Sequence, residues 1–340
     1  MSPTVAHKAS RWTLVIALVL AAVLLFFAFR GVNWSTMFGR LSRGRPDILA
    51  LAFLTVSGSY FVRALRWRLL LSAEKRIAPL TVFWATAVGY LGNNFLPARA
   101  GELIRSGLLA RKTGLSMSYV LATALVERAL DVVALVLISA VAVAALPSVP
   151  IWLVGATRVL AVLGLFAMLV FVVLPRLERH IQRLMARVMG ATALQQRLSG
   201  VLQQFLLGMR AFQQFSRGAG FAGLTSVIWL ADSVAMILVA RAFHLTLALP
   251  QALVLIAALG LSSAAPSTPG YVGIYQFVAV TVLAPFGFAR DEALAFILAA
   301  QAVIYAVVIV WGALGLWSLG VRNLRGAVAA ETAPVEAPAT

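Results

Sequence analysis

The sequence predicts an all-α integral membrane protein of six to eight transmembrane helices with two opposed re-entrant hairpins, a pattern that suggests an inverted repeat. Three observations predict it. The 340 residues are 62% hydrophobic and only 11% charged, with a mean hydropathy of +0.95; a soluble domain carries roughly a quarter charged residues. Several apolar tracts reach the length of about 20 residues that a helix needs to span a bilayer. Two polar breaks, Asn93 to Glu102 and Ser262 to Tyr271, place Pro and Gly inside long apolar runs, one in each half of the chain. Hydrocarbon tolerates a broken helix only where protein or a water-filled cavity covers the freed backbone.

In chain order, 1–11 is a short N-terminus and 12–320 the polytopic domain. Full spans are expected at 12–30, 48–70, 118–146, 152–175, 219–243 and 291–319. The pieces 80–96, 251–264 and 271–285 are short for a core of about 30 Å, and 101–112 carries Glu102, Arg105, Arg111 and Lys112. Pairing them gives re-entrant hairpins over 80–112 and 251–287, whose tips are the two breaks. If 251–287 crosses fully instead, the count rises to eight. Residues 176–217 alternate apolar and basic faces at helical spacing, as in Leu177, Ile181, Leu184 and Val188, and read as amphipathic helices on the cytoplasmic leaflet or as a plain connector. The tail, 321–340, reads as disordered.

Net charge is +17, from 28 Lys and Arg against 11 Asp and Glu. No aromatic-studded basic module supports nucleic-acid binding, so the excess is assigned to cytoplasmic loops and anionic lipid head groups. With both termini in the cytoplasm of a bacterial-type inner membrane, 20 of the 28 fall on the cytoplasmic side, counting Arg63, Arg66, Arg68 and Arg105 among the loop cations. The misfit is 31–47, read as an outer loop holding Arg40, Arg43 and Arg45. The eight tryptophans read mostly as interfacial anchors.

Candidate site residues gather at the breaks and in one charged span. Arg99, Glu102 and Arg105 flank a helix start at Gly101, where unpaired N–H groups favour an anion. They serve a lipid head group or each other, or the arginines simply anchor at the cytoplasmic interface. Glu127, Arg128 and Asp131 sit about ten residues into an apolar span, where each charge costs about 2.5–3.5 kcal/mol. They line a lipid path, supply a proton-coupling carboxylate or form an internal ion-pair network, and Glu127→Gln is expected to leave folding largely intact but impair lipid movement. Asp232 reads as a brace for Arg128 or for the backbone near 266–270. Asn93, Asn94, Ser262, Ser263, Ser267 and Thr268 satisfy backbone at the breaks. Pro97, Pro266, Pro269, Gly270, Gly273 and Tyr275 shape them.

These motifs resemble a known family. Gly92 to Glu102 with Arg105, Leu109 and Gly114, Val126 to Asp131, Arg63 to Trp67, and Pro266 to Tyr275 stand in the order of the transmembrane, flippase-like domain of lysylphosphatidylglycerol synthases. The resemblance covers residues 12 to 320. It implies movement of a polar-headed lipid between leaflets, with the substrate open. No aminoacyl-transferase domain follows, so lysine transfer is not implied, and Pro269-Gly270-Tyr271 stands where the family often has a Gly pair.

The expected function is therefore a lipid translocase and not an enzyme, with a membrane lipid as partner, a homo-oligomer or a lipid-biosynthesis partner beside it, and no cofactor or metal. The three histidines are scattered, and no G-x-x-x-x-G-K-[ST] loop supplies an ATPase. A secondary transporter, a subunit of a lipid-modifying complex and an embedded glycosyltransferase are the alternatives.

Overall fold

The computed structural model describes residues 19, 22–96, 100–146, 150–189, 199, 200, 203, 206, 209, 214–263 and 268–320. After a helical stretch at 22–29 come α1 (Trp34–Ser42), α2 (Pro46–Leu71), α3 (Pro79–Phe95), α4 (Gly101–Thr113), α5 (Met117–Ala144), α6 (Ile151–Met189), α7 (Phe215–Ala242) and α8 (Leu249–Ser262). A 3-10 turn (Pro269–Tyr271), α9 (Ile274–Leu283), a second such turn (Ala284–Phe286) and α10 (Arg290–Ser318) complete the described chain.

Local chemistry sets several helix ends. Pro46 and Pro79 open α2 and α3, where a missing N–H leaves no bond unmade. Ser116 caps α5 by accepting from the Tyr119 N–H, and Gly114 ends α4 in the left-handed conformation (φ +74°).

Among the described residues, α2, α7 and α10 are long and apolar enough to cross a membrane. Helix α5 is as long, but Glu127, Arg128 and Asp131 lie near its middle. Outward faces are apolar, as at Val159, Val162, Phe166 and Leu169 on α6. The inner faces of α7, α8, α9 and α10 share one core, with Leu255, Leu283, Leu294 and Phe296 fully enclosed.

The short helices work in pairs. At 17, 13, 14 and 10 residues, α3, α4, α8 and α9 are about 25, 20, 21 and 15 Å long. Helices α3 and α4 pack antiparallel, Gly92 against Gly101 and Gly89 against Arg105. The outer end of α4 and the start of α5 meet the end of α2: Lys75 Nζ donates to Thr113 O at 2.6 Å and Tyr119 Oη to Leu70 O at 3.0 Å. The opposite end gathers the start of α2 and the end of α7, through Arg45 N–H to Ala242 O at 3.0 Å. It also holds the start of α10, where Arg40 reaches Glu292 at 2.8 Å. The α8–α9 pair springs from that end. The two helix pairs therefore point at each other, and α3 packs against the 3-10 turn between α8 and α9.

Three sequence readings are corrected. Residues 31–47 are not a plain loop, because Asn33 caps α1 by accepting from the Thr36 N–H at 3.2 Å. Helix α6 runs unbroken through 176 to Met189, so the fourth span and the first amphipathic segment are one helix. Arg63, Arg66 and Arg105 are buried inside helices rather than in cytoplasmic loops.

Candidate functional site

The first break begins where α3 stops at Phe95 and α4 restarts at Gly101. The restart is possible because residue 101 has no side chain: a Cβ there would lie 1.9 Å from Gly89 O. Gly101 therefore permits the close helix pair rather than touching a ligand. Asn94 Nδ2 donates back to Tyr90 O at 2.9 Å, and Asn93 Nδ2 donates to Glu102 Oε1 at 3.2 Å. Pro97, Arg99, Pro266 and Ser267 lie outside the described residues.

Behind this tip sits a chain of buried charges. Arg66, fully enclosed on α2, grips Asp131 with both amino nitrogens (2.6 and 3.0 Å) and donates to Glu127 at 2.9 Å. Arg105 bridges Glu127 (2.9 Å) and Glu102 (2.6 Å). Arg128 pairs with Glu102 at 2.6 Å and approaches Asp131 to 3.8 Å. On the far wall Arg63 pairs with Asp232, which also accepts from Ser59 Oγ at 2.6 Å. Four arginines thus meet four carboxylates. Aromatic faces complete the solvation: Trp67 lies 4.4 Å from the Arg105 guanidinium, Phe221 4.9 Å from that of Arg66, and Trp229 5.0 Å from that of Arg63. A charge at such depth persists only when paired.

The second break is held by neutral groups. Gly270, at φ +72°, turns its carbonyl to accept from Tyr305 Oη (2.6 Å) and Gln301 Nε2 (3.1 Å). Gln301 also accepts from Gln276, whose own Oε1 takes the Gly273 N–H at 2.7 Å and starts α9. Thr268 Oγ1 donates to Val272 O at 2.7 Å.

A cavity of about 240 Å³ lies where the two breaks meet. Of the sequence-predicted residues, Asn93, Asn94, Glu102, Arg128, Asp131, Gly270 and Tyr275 line it. Gly101, Arg105, Glu127 and Gly273 stand behind the wall as supports, and Pro269 forms the turn backbone. Asp232 lines the cavity, but its partner is Arg63 rather than Arg128 or the backbone at 266–270. Trp67 and Trp229 are corrected from interfacial anchors to buried guanidinium platforms, whereas Trp34 and Trp317 are exposed.

Sequence reasoning missed Arg63 and Arg66 as site residues, and Gln301 and Tyr305 altogether. A signal existed for both pairs. Arg63 and Arg66 are three apart within an apolar run, and Gln301 and Tyr305 four apart in another, so each pair marks one helix face.

Comparison with known proteins gives two results. The chain is 25% identical to glycosyltransferase AglD of Haloferax volcanii, in a 354-residue alignment spanning 92% of this chain and 55% of that protein. The chain thus spans about half the length of the curated relative it matches. That relative overturns the expectation that the chain is not an enzyme, since its name is that of a transferase and the match runs through nearly the whole chain. The profile of the family described as the lysylphosphatidylglycerol synthase TM region matches residues 14–312. The protein belongs to that family of membrane domains.

Proposed function

We propose that the protein moves a polar-headed lipid between membrane leaflets, passing the head group through the cavity where the two helix pairs meet while the acyl chains stay in lipid. One observation carries this reading: a cavity bounded by both broken helices, whose largely apolar wall carries Arg63, Glu102, Arg128, Asp131 and Asp232, inside a body whose outer faces are apolar. In this reading α3–α4 and α8–α9 are re-entrant hairpins entering from opposite faces, an inverted repeat with its site at mid-depth. The end bearing Lys75, Arg76, Arg111, Lys112 and Arg217 faces the cytoplasm of an inner membrane, with both termini on that side. Among the cations of the other end, Arg40 and Arg45 are matched by Glu292 and Asp47. Residues 12–320 act as one domain, alone, as a homo-oligomer or beside a lipid-biosynthesis partner.

The relative's name favours a second reading, in which the cavity presents a lipid to a glycosyl-transfer step. The test is reconstitution of the full chain in liposomes containing a trace of NBD-labelled phosphatidylglycerol and, in a parallel preparation, of NBD-labelled glucosyl-diacylglycerol. Movement is followed as the fraction that dithionite bleaches. Protein-dependent bleaching is expected, slowed at least tenfold by Ser263→Trp, whose indole replaces a small side chain that lines the cavity. Bleaching curves identical to protein-free liposomes for both lipids sink the translocase. Product formation from a sugar nucleotide and a divalent metal by the pure protein would establish the second reading.

A further inference from the structure

The tyrosines are distributed as no single helix could arrange them. Of six in the chain, Tyr60, Tyr90, Tyr271, Tyr275 and Tyr305 all line the cavity, and they come from α2, α3, the 3-10 turn, α9 and α10. The sixth, Tyr119, is buried elsewhere with its hydroxyl on Leu70 O. Within the cavity wall they form two ring pairs: Tyr60 and Tyr90 with centroids 4.7 Å apart, and Tyr271 and Tyr275 stacked at 4.9 Å with 9° between planes.

The charges of the wall do not suit an ion. Arg63 and Arg128 are already paired with Asp232 and Glu102, and Asp131 is held by Arg66. An entering anion has to displace a carboxylate, and the lining carboxylates Glu102, Asp131 and Asp232 outnumber the lining arginines. An entering cation meets two guanidinium groups.

Two kinds of buried polar atom on the lining residues lack a hydrogen-bond partner: an acceptor, Asn93 Oδ1, and the donors Arg63 Nε and Trp229 Nε1, on residues only 8%, 8% and 7% exposed. Unmatched groups of this kind are costly, at about 1–3 kcal/mol each. A hydroxyl is donor and acceptor at once, so a polyhydroxylated ligand answers both. The C–H faces of a sugar ring are apolar and lie flat on aromatic faces, while its hydroxyls point outward to amides and carboxylates.

We infer that the cavity recognises a neutral saccharide head group carried on a lipid. This rests on the lipid reading above and names its substrate class. The full chain is reconstituted in phosphatidylcholine nanodiscs doped equally with glucosyl-diacylglycerol, diacylglycerol, phosphatidylglycerol and cationic ethylphosphatidylcholine, and retained lipid is identified by native mass spectrometry. Glucosyl-diacylglycerol is expected to be enriched at least tenfold over each of the others. Tyr90→Phe and Tyr271→Phe keep the rings, and each should lower that enrichment roughly three- to tenfold, as loss of one hydrogen bond does. Neither should move the melting temperature or phosphatidylglycerol retention. Preference for phosphatidylglycerol or the cationic lipid overturns the saccharide assignment and leaves the lipid reading standing. Displacement by free glucose as effective as by the glycolipid overturns the lipid tether. Retention of no lipid at all removes both readings.

Discussion

The two broken helix pairs face each other but are held by different chemistry. Around the first break, Glu102, Arg105, Glu127, Arg66 and Asp131 form a continuous line of buried ion pairs. Around the second, one carbonyl, two glutamines and a phenol do the equivalent work without charge. Backbone freed inside a membrane must be satisfied from within the protein, and both solutions achieve this. Their failure modes differ. A charge network transmits the loss of one member to every neighbour, because each remaining ion is left buried and unpaired. A neutral network loses one hydrogen bond at a time.

The largest effect should therefore come from Arg66, among the described residues the only cation on both Glu127 and the two oxygens of Asp131 at close range. Arg66→Met is expected to destabilise the protein by about 3–5 kcal/mol, read as a lost or strongly lowered melting transition in detergent. Arg66→Met combined with Asp131→Leu should recover part of that loss, because it removes the stranded charge. A double variant worse than the single one would show that the pair is not the unit of stability. The same reasoning reverses the expectation for Glu127→Gln. Glu127 is 2% exposed and accepts from Arg66 and Arg105 together, so its neutral form weakens the fold rather than sparing it.

How much of this was legible in the sequence follows from what each residue could reveal alone. The breaks were legible because Asn-Asn, Pro and Gly interrupt apolar runs, and the short helices flanking them follow from length. Glu127 and Asp131 were legible as one face because four residues separate them. The partners were not. Arg66 meets acids more than sixty residues away, and nothing in its local context distinguishes it from a loop cation near the end of a span. Arg63 and Arg66 entered the charge count as cytoplasmic for that reason. Tyr305 and Gln301 were hidden by a different cause: a long apolar helix absorbs two polar residues without losing its span signature, and only the facing turn shows what they hold.

An intermediate effect tests the neutral half. A Cβ on Gly270 would sit 2.2 Å from Tyr305 Oη, and its backbone is at φ +72°. Gly270→Ala should therefore be destabilised through both clash and conformation, by about 1–3 kcal/mol. Tyr305→Phe alone loses one hydrogen bond, about 1 kcal/mol. In the double variant the missing hydroxyl relieves the clash, so the melting temperature should lie above that of Gly270→Ala. Strictly additive losses would mean that the φ requirement, not the phenol, decides residue 270.

The smallest effect sharpens the comparison most. Arg45 and Asp47 approach to 2.6 Å, the same separation as Arg66 and Asp131. Their side chains are 55% and 62% exposed, whereas those of Arg66 and Asp131 are 0% and 7%. Water already solvates each exposed partner, so removing one strands nothing, and screening by salt weakens what attraction remains. Asp47→Asn is expected to leave the melting temperature unchanged, at low and high salt alike. Equal separation with opposite consequence would locate the cost of the buried network in desolvation rather than in Coulomb attraction. A clear drop for Asp47→Asn would instead mean that the start of α2, tied to α7 through Arg45 N–H and Ala242 O, depends on that pair for its position.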